Sequence, residues 1–158
     1  MKTQLTLKLN GKTVNWEGDS SRKLLDVLRD DLGQVDVKCG CREGECGACS
    51  VLIDGLLVNS CMFAVGAVDG REVTTIEGYR DTDRFRALDK AFADVSAVQC
   101  GYCIPGMVLA AEALLAANPR PTDAEVRAAI SGNLCRCTGY NAIVEAIVEA
   151  SEEGEGLW

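Results

Sequence analysis

Nine cysteines and no histidine in 158 residues narrow the chemistry open to this chain. Four of the nine fall in the stretch CGCREGECGAC, at Cys39, Cys41, Cys46 and Cys49, interleaved with Gly40, Gly44 and Gly47. Cys61 follows, and the second half adds Cys100, Cys103, Cys135 and Cys137. Thiolates are soft ligands that select zinc or iron–sulfur clusters. Without histidine, a Rieske centre and the usual His-containing zinc sites are excluded.

Cys41-x4-Cys46-x2-Cys49, with Cys61 further along, has the spacing of a plant-type 2Fe–2S site. The chemistry explains the glycines. A cluster held by four thiolates is anionic and needs hydrogen-bond donors at its sulfurs. Backbone N–H groups converge on it only where the loop has unusual dihedrals and little side-chain bulk. Four cysteines also bind zinc, but zinc modules usually pair them as two short CxxC knuckles, not three on one loop. Cys39 does not fit the spacing and reads as a bystander, a small and partly buried apolar residue.

Cys100-Gly-Tyr-Cys103 and Cys135-Arg-Cys137 form the second set. A lone CxxC would equally suit a thioredoxin-like pair. Here a CxC stands at the matching point of a second helical unit. Four thiolates at helix ends fit a second cluster, favoured by the positive ends of the helices that follow. A structural zinc is the alternative.

The elements that must carry these loops follow from pattern. Leu5, Leu7 and Leu9 alternate with polar residues as in a half-buried strand. Asn10-Gly11 signals a hairpin to a return strand with Val14 and Trp16. Ser20 or Ser21 is placed to cap a helix bearing Leu24, Leu25, Leu28 and Leu32, closed by Gly33. A hairpin at residues 50–58, turning at Asp54-Gly55, and a strand at 72–76 complete a sheet. Two hairpins and one helix suggest a β-grasp over residues 1–77, with a polar linker at 78–83. Residues 84–153 read as four helices. Phe85, Leu88 and Phe92 mark the first, and Pro105 opens the second, which Asn118-Pro119 stops. Thr122 and Glu125 form a capping box for the third. Ile143, Val144, Ile147 and Val148 mark the fourth. The expected class is α+β: a β-grasp ferredoxin domain, then a four-helix bundle with its cysteines near one end. The acidic tail SEEGEGLW is expected to fray.

Net charge is −8, which argues against nucleic acid and anionic membrane as partners. The N-terminal stretch lacks an apolar h-region and a twin arginine, and no apolar run approaches a membrane span. The expectation is a cytoplasmic protein with reduced thiols.

The stretches KCGCREGECGACSVLIDG, NSC at 59–61, VQCGYCIPGM and GNLCRCTGY, in that order, resemble the small iron–sulfur subunit of the molybdenum hydroxylases. That family includes xanthine dehydrogenase, aldehyde oxidoreductase and carbon monoxide dehydrogenase. The resemblance spans roughly residues 3 to 150. It implies one 2Fe–2S cluster in each domain. It also implies a large partner subunit with molybdopterin and a medium one with FAD, as a heterotrimer or its dimer. By the same resemblance the bundle cluster lies beside the molybdopterin, Gln99 and Cys137 approach the pterin ring, and the plant-type cluster lies toward the flavin. Arg136 is placed to pair with partner carboxylates or to remain solvated. Ile104 departs from the threonine often found there, and Cys39 stands where members vary; neither is a ligand position. The implied role is a single-electron relay, with no catalytic residue in this chain. A free-standing two-cluster ferredoxin is the competing reading.

Overall fold

The computed structural model describes residues 3–158, so the first two residues of the expected N-terminal domain lie outside the described residues. Strands β1 (Thr3–Leu9) and β2 (Lys12–Gly18) form the first hairpin, with Leu5, Leu7 and Leu9 buried on one face. Asn10 and Gly11 both take positive φ, as a tight two-residue hairpin turn requires. Strands β3 (Ser50–Ile53) and β4 (Leu56–Asn59) form the second hairpin, and β5 (Glu72–Thr74) lies between β1 and β3. The sheet order is β2-β1-β5-β3-β4, with β1 and β5 parallel and the other pairs antiparallel.

Boundaries in the first half differ from expectation. Helix α1 runs only from Leu24 to Asp26, continues as a π-helical turn over Val27–Asp31, and has no serine cap. The Leu24 N–H goes instead to the Phe63 carbonyl at 2.8 Å, and the Ser21 hydroxyl turns to Asp19. A tertiary contact has replaced the local cap. The final strand stops at Thr74, because the Thr75 N–H donates to the Asn10 side chain and the chain turns into helix α2 (Ile76–Tyr79). The expected polar linker is therefore partly ordered and anchored. Tyr79 is buried, and its hydroxyl donates to Glu112 at 2.6 Å.

Helices α3 (Asp83–Asp94), α4 (Ile104–Ala117), α5 (Asp123–Ala129) and α6 (Asn141–Glu153) make up the second half. Thr82 caps α3, and the capping box of Thr122 and Glu125 opens α5 as the sequence predicts. Pro105 sits in the first turn of α4. Each helix packs on the next, and α6 closes back onto α3 around Leu88, Phe92, Leu109, Leu115, Ile143 and Ile147. Fully burying each such side chain contributes about 2 kcal/mol.

Helix α4 is apolar on nearly all sides because it also packs against the sheet. Successive β3 residues point to opposite faces: Val51 and Ile53 enter the core under α1, while Leu52 enters the helical core. Two cores thus share one strand, which fixes the relative position of the cysteine loops.

The C-terminal tail does not fray. Trp158 donates through Nε1 to Glu112 at 2.7 Å, and the Leu157 carbonyl accepts from Arg84 at 2.6 Å. Glu112, buried in the middle of α4, explains this. Its carboxylate accepts from Tyr79, Arg84 and Trp158 together, so the tail supplies one of the donors a buried charge requires.

Candidate metal centres

Cys41, Cys46 and Cys49 lie on the loop between α1 and β3, and Cys61 sits in a single helical turn (Ser60–Met62) just after β4. Regular structure thus brackets the loop at both ends. The Cys41 sulfur accepts three backbone N–H groups, from Glu43, Glu45 and Cys46, at 3.3–3.4 Å. The Cys46 sulfur accepts from the Cys41 N–H at 3.3 Å. These donors, led by Glu43, bring the Cys41 thiol down to about 7, so the metal-binding thiolate is favoured. Cys49 is buried, and burial pushes its thiol up to about 11. A Cβ on Gly40 would stand 2.6 Å from the Cys46 sulfur, so glycine here leaves room for the sulfur.

In the second half, Cys100 and Cys103 lie just before α4, and Cys135 and Cys137 lie on the loop between α5 and α6. Burial pushes Cys103 up to about 12. Burial also raises Cys135, but the hydroxyl and N–H of Thr138 outweigh it and set that thiol at about 7. Cys100 and Cys137 are exposed, their sulfurs 3.6 Å apart. Gln99 and Arg136 are exposed beside them, and Gln99 makes no hydrogen bond among the described residues.

The sulfurs come together in twos. Cys41 neighbours Cys46, Cys49 neighbours Cys61, Cys103 neighbours Cys135, and Cys100 neighbours Cys137. A single zinc with four thiolates at about 2.3 Å brings every sulfur to roughly 3.8 Å from every other. Among the described residues no three cysteine sulfurs lie mutually within 4.8 Å. Two pairs per site, each pair on its own metal, is the arrangement a binuclear cluster requires. The donor set, the sulfur-directed N–H groups and the cleared space therefore fit 2Fe–2S.

Cys39 stands apart, its sulfur 3.8 Å from the Arg42 guanidinium. Its backbone is nonetheless engaged. The Tyr102 hydroxyl donates to the Cys39 carbonyl at 2.8 Å and accepts from its N–H at 3.3 Å. Tyr102 belongs to the Cys100–Cys103 turn, so this contact joins the two loops. The Leu134 N–H joins them again by donating to the Cys46 carbonyl at 2.9 Å. Asn133, buried, donates to the Gly47 carbonyl. Gly106 presses so closely on that carbonyl that a Cβ there would lie 2.4 Å from it. Tyr102, Asn133 and Thr138 escape a reading based on ligand spacing, because each acts on a group outside its own motif or through a hydroxyl. The one sequence signal available is position: each stands within three residues of a cysteine.

Two family profiles match the chain, a 2Fe-2S iron-sulfur cluster binding domain over residues 7–74 and a 2Fe-2S binding domain over residues 75–148. The nicotinate dehydrogenase small FeS subunit of Eubacterium barkeri is 46% identical over 151 residues, covering 96% of each chain. The nicotine 6-hydroxylase small subunit of Paenarthrobacter nicotinovorans is 42% identical, covering 94% of this chain and 90% of that one. Among solved structures, quinoline 2-oxidoreductase from Pseudomonas putida 86 superposes with a TM-score of 0.89 at 38% identity, over 96% of this chain and 94% of that one. Two 2Fe–2S-binding domains on one chain make this an iron–sulfur protein of electron transfer. More narrowly, the chain belongs to the family of small iron–sulfur subunits of the molybdenum hydroxylases.

Proposed function

We propose that this chain is the relay subunit of a three-part molybdenum hydroxylase, formed with a large molybdopterin-binding subunit and a medium FAD-binding subunit. Its N-terminal unit is a β-grasp ferredoxin domain, residues 1–77, and its C-terminal unit a four-helix bundle, residues 84–153. Cys41, Cys46, Cys49 and Cys61 hold the plant-type cluster, and Cys100, Cys103, Cys135 and Cys137 hold the other. When bound, the clusters supply one-electron chemistry between molybdopterin and FAD.

The observation that carries this reading is the two-plus-two pairing of sulfurs in both sites, with hydrogen bonds tying one loop to the other. Backbone donors orient the thiolates of the first site, and the Cys46–Leu134 bond holds the loops in register. Cys100 and Cys137, exposed beside Gln99, leave the second site open on one face, which a partner subunit would cover. That openness favours a complex over a free-standing ferredoxin, since water at a cluster face invites loss of iron. Gln99 and Cys137 are the residues proposed to meet the pterin ring. No helix among the described residues is long and apolar enough to cross a membrane, in keeping with a cytoplasmic complex. With no histidine for acid–base work, the substrate's chemistry is assigned to the partner.

The test is iron and acid-labile sulfide analysis of the purified complex, with low-temperature paramagnetic resonance after reduction. Two distinct 2Fe–2S signals are expected, one lost in Cys49→Ser and the other in Cys103→Ser. A colourless, zinc-loaded protein would contradict the reading.

A further inference from the structure

The sulfurs of Cys41 and Cys135 are served by different means. The Cys41 sulfur accepts three backbone N–H groups, which most side-chain replacements leave in place. The Cys135 sulfur accepts a side-chain hydroxyl, from Thr138 Oγ1 at 3.1 Å, together with the Thr138 N–H at 3.5 Å.

The hydroxyl is aimed. Thr138 Oγ1 accepts from the Tyr140 N–H at 3.3 Å, which leaves its own proton to point at the sulfur. Tyr140 in turn accepts the Cys135 N–H on its phenolic oxygen at 2.9 Å. Cys135, Thr138 and Tyr140 thus form a closed ring of donors and acceptors. Tyr140 sits at φ 72°, a left-handed conformation uncommon for a bulky side chain. The ring holds it there, just ahead of α6. A group held this way loses little of its effect to rotation or to competition from water.

We infer that Thr138 is a positioning residue that raises the reduction potential of the bundle cluster through its hydroxyl bond to the Cys135 sulfur. The inference rests on Cys135 being a ligand of that cluster. One-electron reduction adds negative charge that spreads onto the ligand sulfurs. A proton directed at a sulfur stabilises the reduced form more than the oxidised one, and hydrogen bonds to sulfur are a recognised control on cluster potential. The Thr138 hydroxyl bonds no sulfur of the first site, so the two clusters can be set independently. The site that holds Thr138 is the one next to the proposed source of electrons, where a higher potential favours filling.

The experiment is a redox titration of the whole complex, with both cluster signals followed by paramagnetic resonance. In Thr138→Val, which keeps the shape and removes the hydroxyl, the reduced-to-oxidised ratio of the bundle cluster at fixed potential should fall about tenfold, equivalent to ~59 mV for a one-electron couple. The plant-type cluster is the internal control and should not move. Thr138→Ser, which keeps the hydroxyl, should stay within about threefold of the parent. If Val impairs assembly, Thr138→Ala serves with the same expected fall. Both signals present and the bundle ratio unmoved in Val or Ala would overturn the inference. So would a fall in Ser as large as in Val. A parent lacking the second signal altogether would instead overturn the ligand assignment beneath it.

Discussion

The Cys46 carbonyl accepts a 2.9 Å hydrogen bond from the Leu134 N–H. Cys46 is proposed to bind one cluster, and Leu134 precedes Cys135, proposed to bind the other. The bond therefore links the two loops backbone to backbone. Its geometry depends on how closely the loops approach, and that is set at Gly47 and Gly106. Gly47 has φ 67°, and the Gly106 Cα faces its carbonyl.

Gly106→Ala should therefore separate the loops. Its Cβ would meet backbone, the Gly47 carbonyl, rather than a side chain that could swing away. The expected cost is about 1–3 kcal/mol in denaturant unfolding. The magnetic interaction between the two reduced clusters should weaken as well. A variant with parental stability and unchanged coupling would show that the approach is slack.

Ligand assignment gives a second prediction. Cys39→Ser should retain the full iron content, because its sulfur lies by Arg42 and its loop contact with Tyr102 runs through the backbone. Cys41→Ser should lose the plant-type cluster and about half the iron. Iron loss in Cys39→Ser with full retention in Cys41→Ser would exchange the two roles.

The buried carboxylate on α4 gives a third. Glu112→Leu leaves the Tyr79 hydroxyl, the Trp158 indole N–H and the Arg84 guanidinium without their shared acceptor. Loss of about 3 kcal/mol is expected, since a broken buried pair leaves its partner groups uncompensated. Removing Leu157 and Trp158 should cost less and leave both clusters in place, because their side-chain-mediated bonds go to Glu112 and Arg84 and to no cysteine loop. Calorimetry of the complex beside its visible spectrum reads both effects.

What the sequence revealed depended on how local each feature is. The plant-type spacing was legible because three of its four cysteines share one loop, and the hairpins because Asn10-Gly11 and Asp54-Gly55 name their own turns. The capping box at Thr122 is equally local. The ordered tail was not legible, since Trp158 is fixed by a carboxylate on α4 and Leu157 by an arginine on α3. The absent serine cap on α1 has the same origin, a carbonyl at Phe63 supplied by a distant turn. The Tyr102–Cys39 contact arises where two halves of the chain meet, and spacing within one motif carries no record of that.

Gln99 and Cys137, proposed to meet the pterin ring, belong to the bundle site, so the proposed relay fills that site first. The most direct measurement is a single turnover of the Cys46→Ser complex, assembled with its molybdenum and lacking the plant-type cluster. The predicted result is that substrate still reduces the site of Cys100, Cys103, Cys135 and Cys137, seen as its own paramagnetic signal at low temperature, while steady-state flavin reduction collapses. A bundle site that stays oxidised in that complex would contradict the order and the account built on it.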